Sequence, residues 1–85
     1  MTREEIMSLV LKILGTLAPE ADLPAIELDA DLRDAIDLDS MDLLTFATRI
    51  HERLGIDVPE AEASELVTLK GCVDYLSRRL GMPAG

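Results

Sequence analysis

The chain has 85 residues and a mass of 9.3 kDa, which leaves room for one small domain spanning residues 1–85. It is 48% hydrophobic but only 2% aromatic, so its core must come from aliphatic side chains, which favours helices over sheets. The formal net charge of −9 disfavours nucleic acids and anionic membrane surfaces as partners. With one cysteine and no run of eighteen apolar residues, we expect a soluble cytoplasmic protein without disulfides or a membrane span.

The first segment has the periodicity of an amphipathic helix. Thr2 and Glu5 have the spacing of a capping box, and Pro19 can end the helix. The sequence therefore predicts a helix from Thr2 to Leu17. Its buried face comprises Ile6, Leu9, Val10, Ile13, Leu14 and Leu17.

Residues 18–39 have no clear period and are rich in acidic residues. A connection of this length is uncommon in a compact domain and usually is functional or contains an unrecognised element. Leu28, Leu32 and Ile36 are four residues apart. We predict that these three side chains hold the loop against the core and that the loop contains a helical turn.

A second main helix is predicted to begin at Asp39 or Ser40. Asp39 is a typical N-cap residue, and the carboxylate of Asp42 can return to the cap from three positions later. Gly55 provides the left-handed residue that ends the helix. The predicted buried face comprises Leu43, Phe46, Ala47, Ile50 and Leu54.

Two further helices complete the predicted fold. Pro59 suits the first turn of a short third helix ending near Leu66, and Thr68 caps the last helix. Gly81 and Pro83 end that helix, and residues 82–85 are expected to fray. Its predicted buried face comprises Leu69, Cys72, Val73, Leu76 and Leu80. The fold class is all-α: a small four-helix bundle of three main helices and a short third one, with a long loop after the first helix.

The sequence does not predict a metal site. Asp29, Asp31 and Asp37 partly follow the spacing of a calcium loop, but Arg33 and Ser40 stand where that loop requires an oxygen ligand and a bidentate glutamate. For zinc, the chain offers only one histidine and one cysteine.

Catalysis by a nucleophile and a base is not predicted either. His51 follows Ser40 by eleven residues in the same predicted helix, which separates them by roughly 16 Å. We interpret His51 as a solvent-facing residue, Cys72 as a small core residue and the carboxylates as a solvated face. The protein is therefore expected not to be an enzyme.

Ser40 allows two interpretations. A serine in the first helical turn beside an aspartate cap is ordinary. Ser40 also lies where a long loop meets a helix, and the positive end of a helix can hold an anionic phosphate. The acidic residues on both sides would attract a basic partner.

Asp39-Ser40-Met41-Asp42 resembles the Asp-Ser-Leu/Met signature of acyl carrier proteins. The similarity extends over nearly the whole chain, through Asp31-Leu32, His51-Glu52-Arg53-Leu54, Gly55-Ile56-Asp57-Val58-Pro59, Thr68-Leu69 and Val73-Asp74-Tyr75-Leu76. It implies that Ser40 carries 4′-phosphopantetheine, derived from coenzyme A, through a phosphodiester. The thiol of that arm would hold acyl groups as thioesters.

The resemblance also implies roles for the neighbours of Ser40 and a set of partners. Asp39 would cap the helix and meet a phosphopantetheinyl transferase, Met41 would be an apolar contact, and Asp42 would belong to an acidic strip. Acyl-loading and acyl-processing enzymes would use basic docking surfaces, and the carrier would be a monomer. The interior between the second and third helices would shelter a short acyl chain; Leu44, Phe46 and Leu66 could line it, although a core role explains them equally well.

One position and one helix surface depart from the family pattern. Asp37 stands where the family usually has glycine, and the usually acidic outer face of the second helix is altered at Thr45, Arg49, His51 and Arg53. We therefore expect a specialised carrier in a fatty-acid, polyketide-type or related pathway. An aminoacyl or peptidyl carrier is an alternative, as is an unmodified acidic helical module that binds basic partners.

Overall fold

A computed structural model describes residues 2–81 and confirms the all-α bundle. Helix α1 spans Arg3–Leu17, α3 spans Ser40–Leu54 and α4 spans Leu69–Arg79, with a 3₁₀ helix at Glu60–Leu66 between the last two. The long connection contains a 3₁₀ turn at Leu23–Ala25 and a short helix α2 at Leu32–Ala35. The predicted stop at Pro83 and the predicted fraying of 82–85 lie outside the described residues.

The predicted helix caps are present. The Thr2 N–H donates to Glu5 Oε1 at 2.7 Å and the Glu5 N–H donates to Thr2 Oγ1 at 3.1 Å, which completes the capping box. Gly55 has φ 70° at the end of α3. The Gly71 N–H donates to Thr68 Oγ1 at 2.9 Å at the start of α4. Local sequence therefore determines where each main helix begins.

The core lies where α1 packs against both α3 and α4. The 3₁₀ helix 60–66 contacts α3 and α4 and closes the remaining side. The side chains with no exposed surface include Ile6, Val10 and Leu14 of α1, Phe46 and Ile50 of α3, Leu66 of the 3₁₀ helix, and Cys72 and Leu76 of α4. These positions agree with the predicted helix faces.

The long connection is held to the core partly as predicted. Leu32 is fully buried and Ile36 is half-buried, but the prediction for Leu28 was wrong because its side chain is 55% exposed. Leu28 contributes through its backbone: the Lys70 N–H donates to the Leu28 carbonyl at 2.9 Å, and the Leu32 N–H donates to the Val67 carbonyl at 2.7 Å. The loop thus satisfies backbone groups at the start of α4.

Two other details differ from the sequence prediction. The prediction that Leu80 is buried was wrong: Leu80 is 36% exposed and is the C-cap residue after the end of α4 at Arg79, although its N–H still donates to the Leu76 carbonyl at 2.9 Å. Pro59 lies just before the third helix rather than in its first turn, and that helix is 3₁₀ throughout. Within residues 2–81, no helix is both long and apolar enough to span a bilayer.

Candidate functional site

The backbone takes a left-handed conformation at Asp37, just before α3. Asp37 has φ 55°, and it is the one residue other than glycine with a positive φ in the described chain. Short polar side chains tolerate this left-handed conformation better than other non-glycine residues. Asp37, which stands where the family usually has glycine, thus takes a conformation that glycine adopts without steric cost.

Leu38 and Leu43 fix the direction from which the chain enters α3. Leu38 is only 4% exposed, and Leu43 packs against the same core from the first turn of the helix. These positions, one before the cap and four after it, are those of a hydrophobic staple. The role of Leu38 was not predicted from the sequence, although an apolar residue directly before a cap residue indicates it.

Asp39 and Asp42 form a reciprocal cap at the start of α3. The Asp42 N–H donates to Asp39 Oδ1 at 2.8 Å, and the Asp39 N–H donates to Asp42 Oδ2 at 3.3 Å. Both predicted capping roles are therefore confirmed. Because each carboxylate is held by a backbone amide, the negative charges keep fixed positions on either side of Ser40 and Met41.

Ser40 is the first residue of α3 and is exposed. The capping bonds use the side chains of Asp39 and Asp42, so they do not engage the Ser40 hydroxyl. The first amides of a helix lack intrahelical acceptors, and the helix dipole favours a negative charge there. An exposed hydroxyl at the positive end of a fifteen-residue helix fits an attached phosphodiester.

Apolar surface continues from Ser40 along the outside of α3. Met41 is 69% exposed and Leu44 is 60% exposed. Leu44 borders an open groove of about 280 Å³ together with Val58 and His51. Leu44 therefore does not line the interior of the bundle.

The interior between α3 and the 3₁₀ helix 60–66 is closed. Phe46 and Leu66 have no exposed surface and belong to the hydrophobic core. Their core role is therefore the one that the structure shows. An acyl chain could enter this region only if the two helices separated.

The acidic stretch 20–42 is largely exposed around the site. Within it, Arg33 binds Asp31 through two side-chain hydrogen bonds of 3.0 and 2.7 Å, and it also donates its backbone N–H to Asp31 at 2.9 Å. The side-chain bonds, followed by the backbone bond, hold the pKa of the Asp31 carboxyl below its ordinary value. Arg33, the cation of this stretch, is thus already paired.

The other candidate groups lie away from Ser40. His51 is exposed near the end of the same helix, as predicted. Cys72 is fully buried, and desolvation raises the pKa of its thiol to about 12. Among residues 2–81, no group of three or more potential metal-ligating side chains converges.

Comparisons with known proteins show the family of the chain. The chain matches the model of the family described as "Phosphopantetheine attachment site" over residues 4–76. It is 32% identical over 79 residues to an acyl carrier protein of Renibacterium salmoninarum, covering 89% of this chain and 93% of that protein. An acyl carrier protein of Campylobacter hominis is 29% identical over 73 residues, with 86% of each chain covered.

A third relative has a more specific name. The polyketide-8 synthase acyl carrier protein 2 of Streptomyces avermitilis is 28% identical over 79 residues, covering 93% of this chain and 85% of that protein. These findings show that the chain belongs to the phosphopantetheine attachment family and, within it, to the acyl carrier proteins. Such proteins are carriers rather than catalysts, their cofactor is covalently bound 4′-phosphopantetheine, and they interact with phosphopantetheinyl transferases and acyl-processing enzymes.

Proposed function

We propose that Ser40 is the attachment site of the prosthetic arm and that Asp39, Met41 and Asp42 contact the enzymes that modify and load it. The observation that carries the proposal is the exposed Ser40 hydroxyl between two capping carboxylates at the start of α3. The arm, once bound, supplies a thiol that holds acyl groups as thioesters. The chain supplies the position and the recognition surface.

Attachment requires one bond exchange. The Ser40 oxygen displaces adenosine 3′,5′-bisphosphate from the pyrophosphate of coenzyme A and loses its proton to a base of the transferase. One P–O bond breaks and one forms. Ser40 needs an accessible oxygen for this exchange, and its exposed position provides one.

Incubation of the purified chain with coenzyme A and a broad-specificity transferase tests the assignment. We expect the intact mass to rise by one phosphopantetheinyl group. Ser40→Ala should abolish the gain, whereas Ser64→Ala, at another exposed serine, should retain it. Equal helicity of both variants would show that the difference in mass gain comes from the missing Ser40 hydroxyl and not from unfolding. No gain with several transferases would contradict the proposal and favour an unmodified interaction module.

The single cysteine gives this experiment an independent readout. Cys72 is buried and its pKa is raised, so it should react slowly with a disulfide reagent in the native state. The arm adds a thiol at the surface. The modified chain should therefore react rapidly with one equivalent of reagent before denaturation, and the unmodified chain should not.

We further propose that the carrier serves a dedicated fatty-acid or polyketide-type pathway. The support is the charge of α3, where Arg49 and Arg53 are exposed beyond Asp42. Enzymes with basic docking surfaces would be attracted by Asp39 and Asp42 but repelled by these two arginines. The named polyketide relative is compatible with such a pathway.

Charge reversal tests this second proposal. Arg49→Glu combined with Arg53→Glu should improve loading by general fatty-acid enzymes, because the repulsive charges become attractive. An exposed pair contributes about 0.2–1 kcal/mol, so we expect kcat/KM to rise several-fold at low salt. Lys70→Glu, at an exposed cation of α4, is the control for net charge alone. Unchanged or poorer loading of the double variant would contradict the proposal.

A further inference from the structure

The eight cations of this acidic chain are not used alike. In residues 2–81, three of them form ion pairs: Arg3 with Asp74, Arg33 with Asp31, and Arg78 with Glu65. Arg79 lies over the Tyr75 ring at 5.7 Å and donates to its hydroxyl at 2.7 Å. Four cations are thereby engaged within the fold.

Three of the remaining cations converge on one cleft. Lys12 of α1 and Arg49 and Arg53 of α3 are all exposed and line a cleft of about 140 Å³ between the two helices. Ile13, which is 3% exposed, and Thr16 lie in the same cleft, which also contains Glu52. Three positive charges and one negative charge leave this lining with a net charge of +2, in a chain whose net charge is −9.

This arrangement places like charges on the facing surfaces of α1 and α3. Arg49 and Arg53 are four residues apart on α3, and like charges at that spacing repel each other. Lys12 adds a third cation across the cleft. Within the described chain no carboxylate pairs with any of the three within 4.0 Å, so an external anion would relieve the repulsion.

We propose that Lys12, Arg49 and Arg53 form a second docking site, which binds a carboxylate patch on a partner protein. Arginine guanidinium groups bind carboxylates with two parallel hydrogen bonds, and a lysine adds an attractive point charge. Arg49 and Arg53 lie about 14 and 20 Å along α3 from Ser40. A partner could thus hold the carrier at this cleft while its own active site faces the start of the helix.

The charge distribution of the whole chain favours a folded protein over an extended polyanion as the partner at the cleft. A nucleic acid or an anionic bilayer would extend beyond the cleft and meet the acidic stretch 20–42, where nine carboxylates stand against Arg33. A folded partner can confine its carboxylates to the cleft and present basic residues elsewhere. The docking surface of the partner would therefore carry both kinds of charge: acidic residues opposite the cleft and basic residues opposite the acidic stretch.

A titration followed by amide chemical shifts tests this proposal on the unmodified chain, so its outcome is independent of Ser40 attachment. The probe is a short oligoglutamate peptide with blocked ends, at low salt. We expect saturable shifts in residues 12–16 and 49–53. Lys12→Gln, Arg49→Gln and Arg53→Gln should each weaken binding by about threefold, as expected for exposed charge pairs. Lys70→Gln, at an exposed cation outside the cleft, should bind like the parent chain.

Four results of these titrations would overturn the proposal. Shifts spread equally over Lys70 and the cleft, or no saturable shift at the cleft, would show that the three cations do not act together. Tighter binding of inorganic pyrophosphate than of the peptide would identify a phosphate site and overturn the assignment to a partner's carboxylates. Loss of binding in Lys70→Gln would show a response to net charge alone.

Discussion

Asp37 shows how a single backbone conformation positions the candidate site. It has a positive φ between α2 and α3, and it is followed by Leu38, which is buried in the core, and by Asp39, which caps α3. Glycine adopts this conformation without steric cost, and aspartate adopts it less freely. Compared with glycine, Asp37 thus adds a negative charge three residues before Ser40, but it adopts the left-handed conformation at a higher conformational cost.

Replacing Asp37 by glycine and by alanine tests this interpretation. Both variants remove the charge, so their difference reports the backbone conformation alone. We expect Asp37→Gly to be more stable than Asp37→Ala by about 1 kcal/mol, measured by denaturant unfolding. At Asp34, in helix α2, the same two substitutions should show the reverse order. An alanine variant as stable as the glycine variant at position 37 would contradict the assignment.

At the scale of elements, the junction between the 3₁₀ helix 60–66 and α4 leaves less room for a Cβ at its glycine than any other glycine site in residues 2–81 does. A Cβ added at Gly71 would lie 2.8 Å from Thr68 Oγ1 and 2.9 Å from the Glu65 carbonyl oxygen. The same Thr68 oxygen caps α4. The Glu65 oxygen belongs to the backbone, and Thr68 Oγ1 accepts the cap hydrogen bond. Neither atom can therefore move away from an added Cβ without disturbing the 3₁₀ helix or the cap of α4.

Two glycine-to-alanine substitutions should therefore have opposite effects. Gly71→Ala should destabilise the fold by about 1–3 kcal/mol through overpacking. Gly15→Ala, inside α1, should stabilise it by up to about 1 kcal/mol, because the added Cβ would meet Leu23 Cδ1 at an ordinary 3.5 Å. Thermal or denaturant unfolding of both variants measures the contrast. A stabilised Gly71→Ala variant would contradict the close approach.

These elements also show how far the sequence predicts the structure. The caps at Thr2, Asp39 and Thr68 and the end at Gly55 were predicted correctly, because each depends on residues within three or four positions. The prediction for Leu28 was wrong, because its backbone bond to Lys70 joins segments far apart in the chain. The neighbours of Ser40 in the sequence indicate it as a candidate site, whereas the cleft of Lys12, Arg49 and Arg53 depends on the packing of α1 on α3.

At the scale of the whole molecule, the charge of −9 acts in two opposite ways. The chain has seventeen acidic residues and eight basic ones, so its excess negative charges repel each other in the compact state. The three ion pairs in residues 2–81 are at least partly exposed, so they offset little of this repulsion. We propose that the same excess attracts the basic surfaces of partner enzymes.

Stability should therefore rise with ionic strength. Salt that shortens the Debye length from about 30 Å to about 8 Å screens the repulsion between exposed carboxylates. We expect the thermal midpoint of unfolding to rise between these conditions in sodium chloride. Choline chloride at equal ionic strength should have the same effect if screening is the cause. A lower midpoint at higher salt would mean that the ion pairs outweigh the repulsion.

The most direct test of the central claim is to locate the modified residue. After reaction with coenzyme A and a transferase, fragmentation of the intact chain in a mass spectrometer shows which residue carries the added phosphopantetheine. The structure predicts that the added mass lies on Ser40, at the exposed start of α3. Addition at Ser8 or Ser64, which are also exposed, or no addition at all, would contradict it.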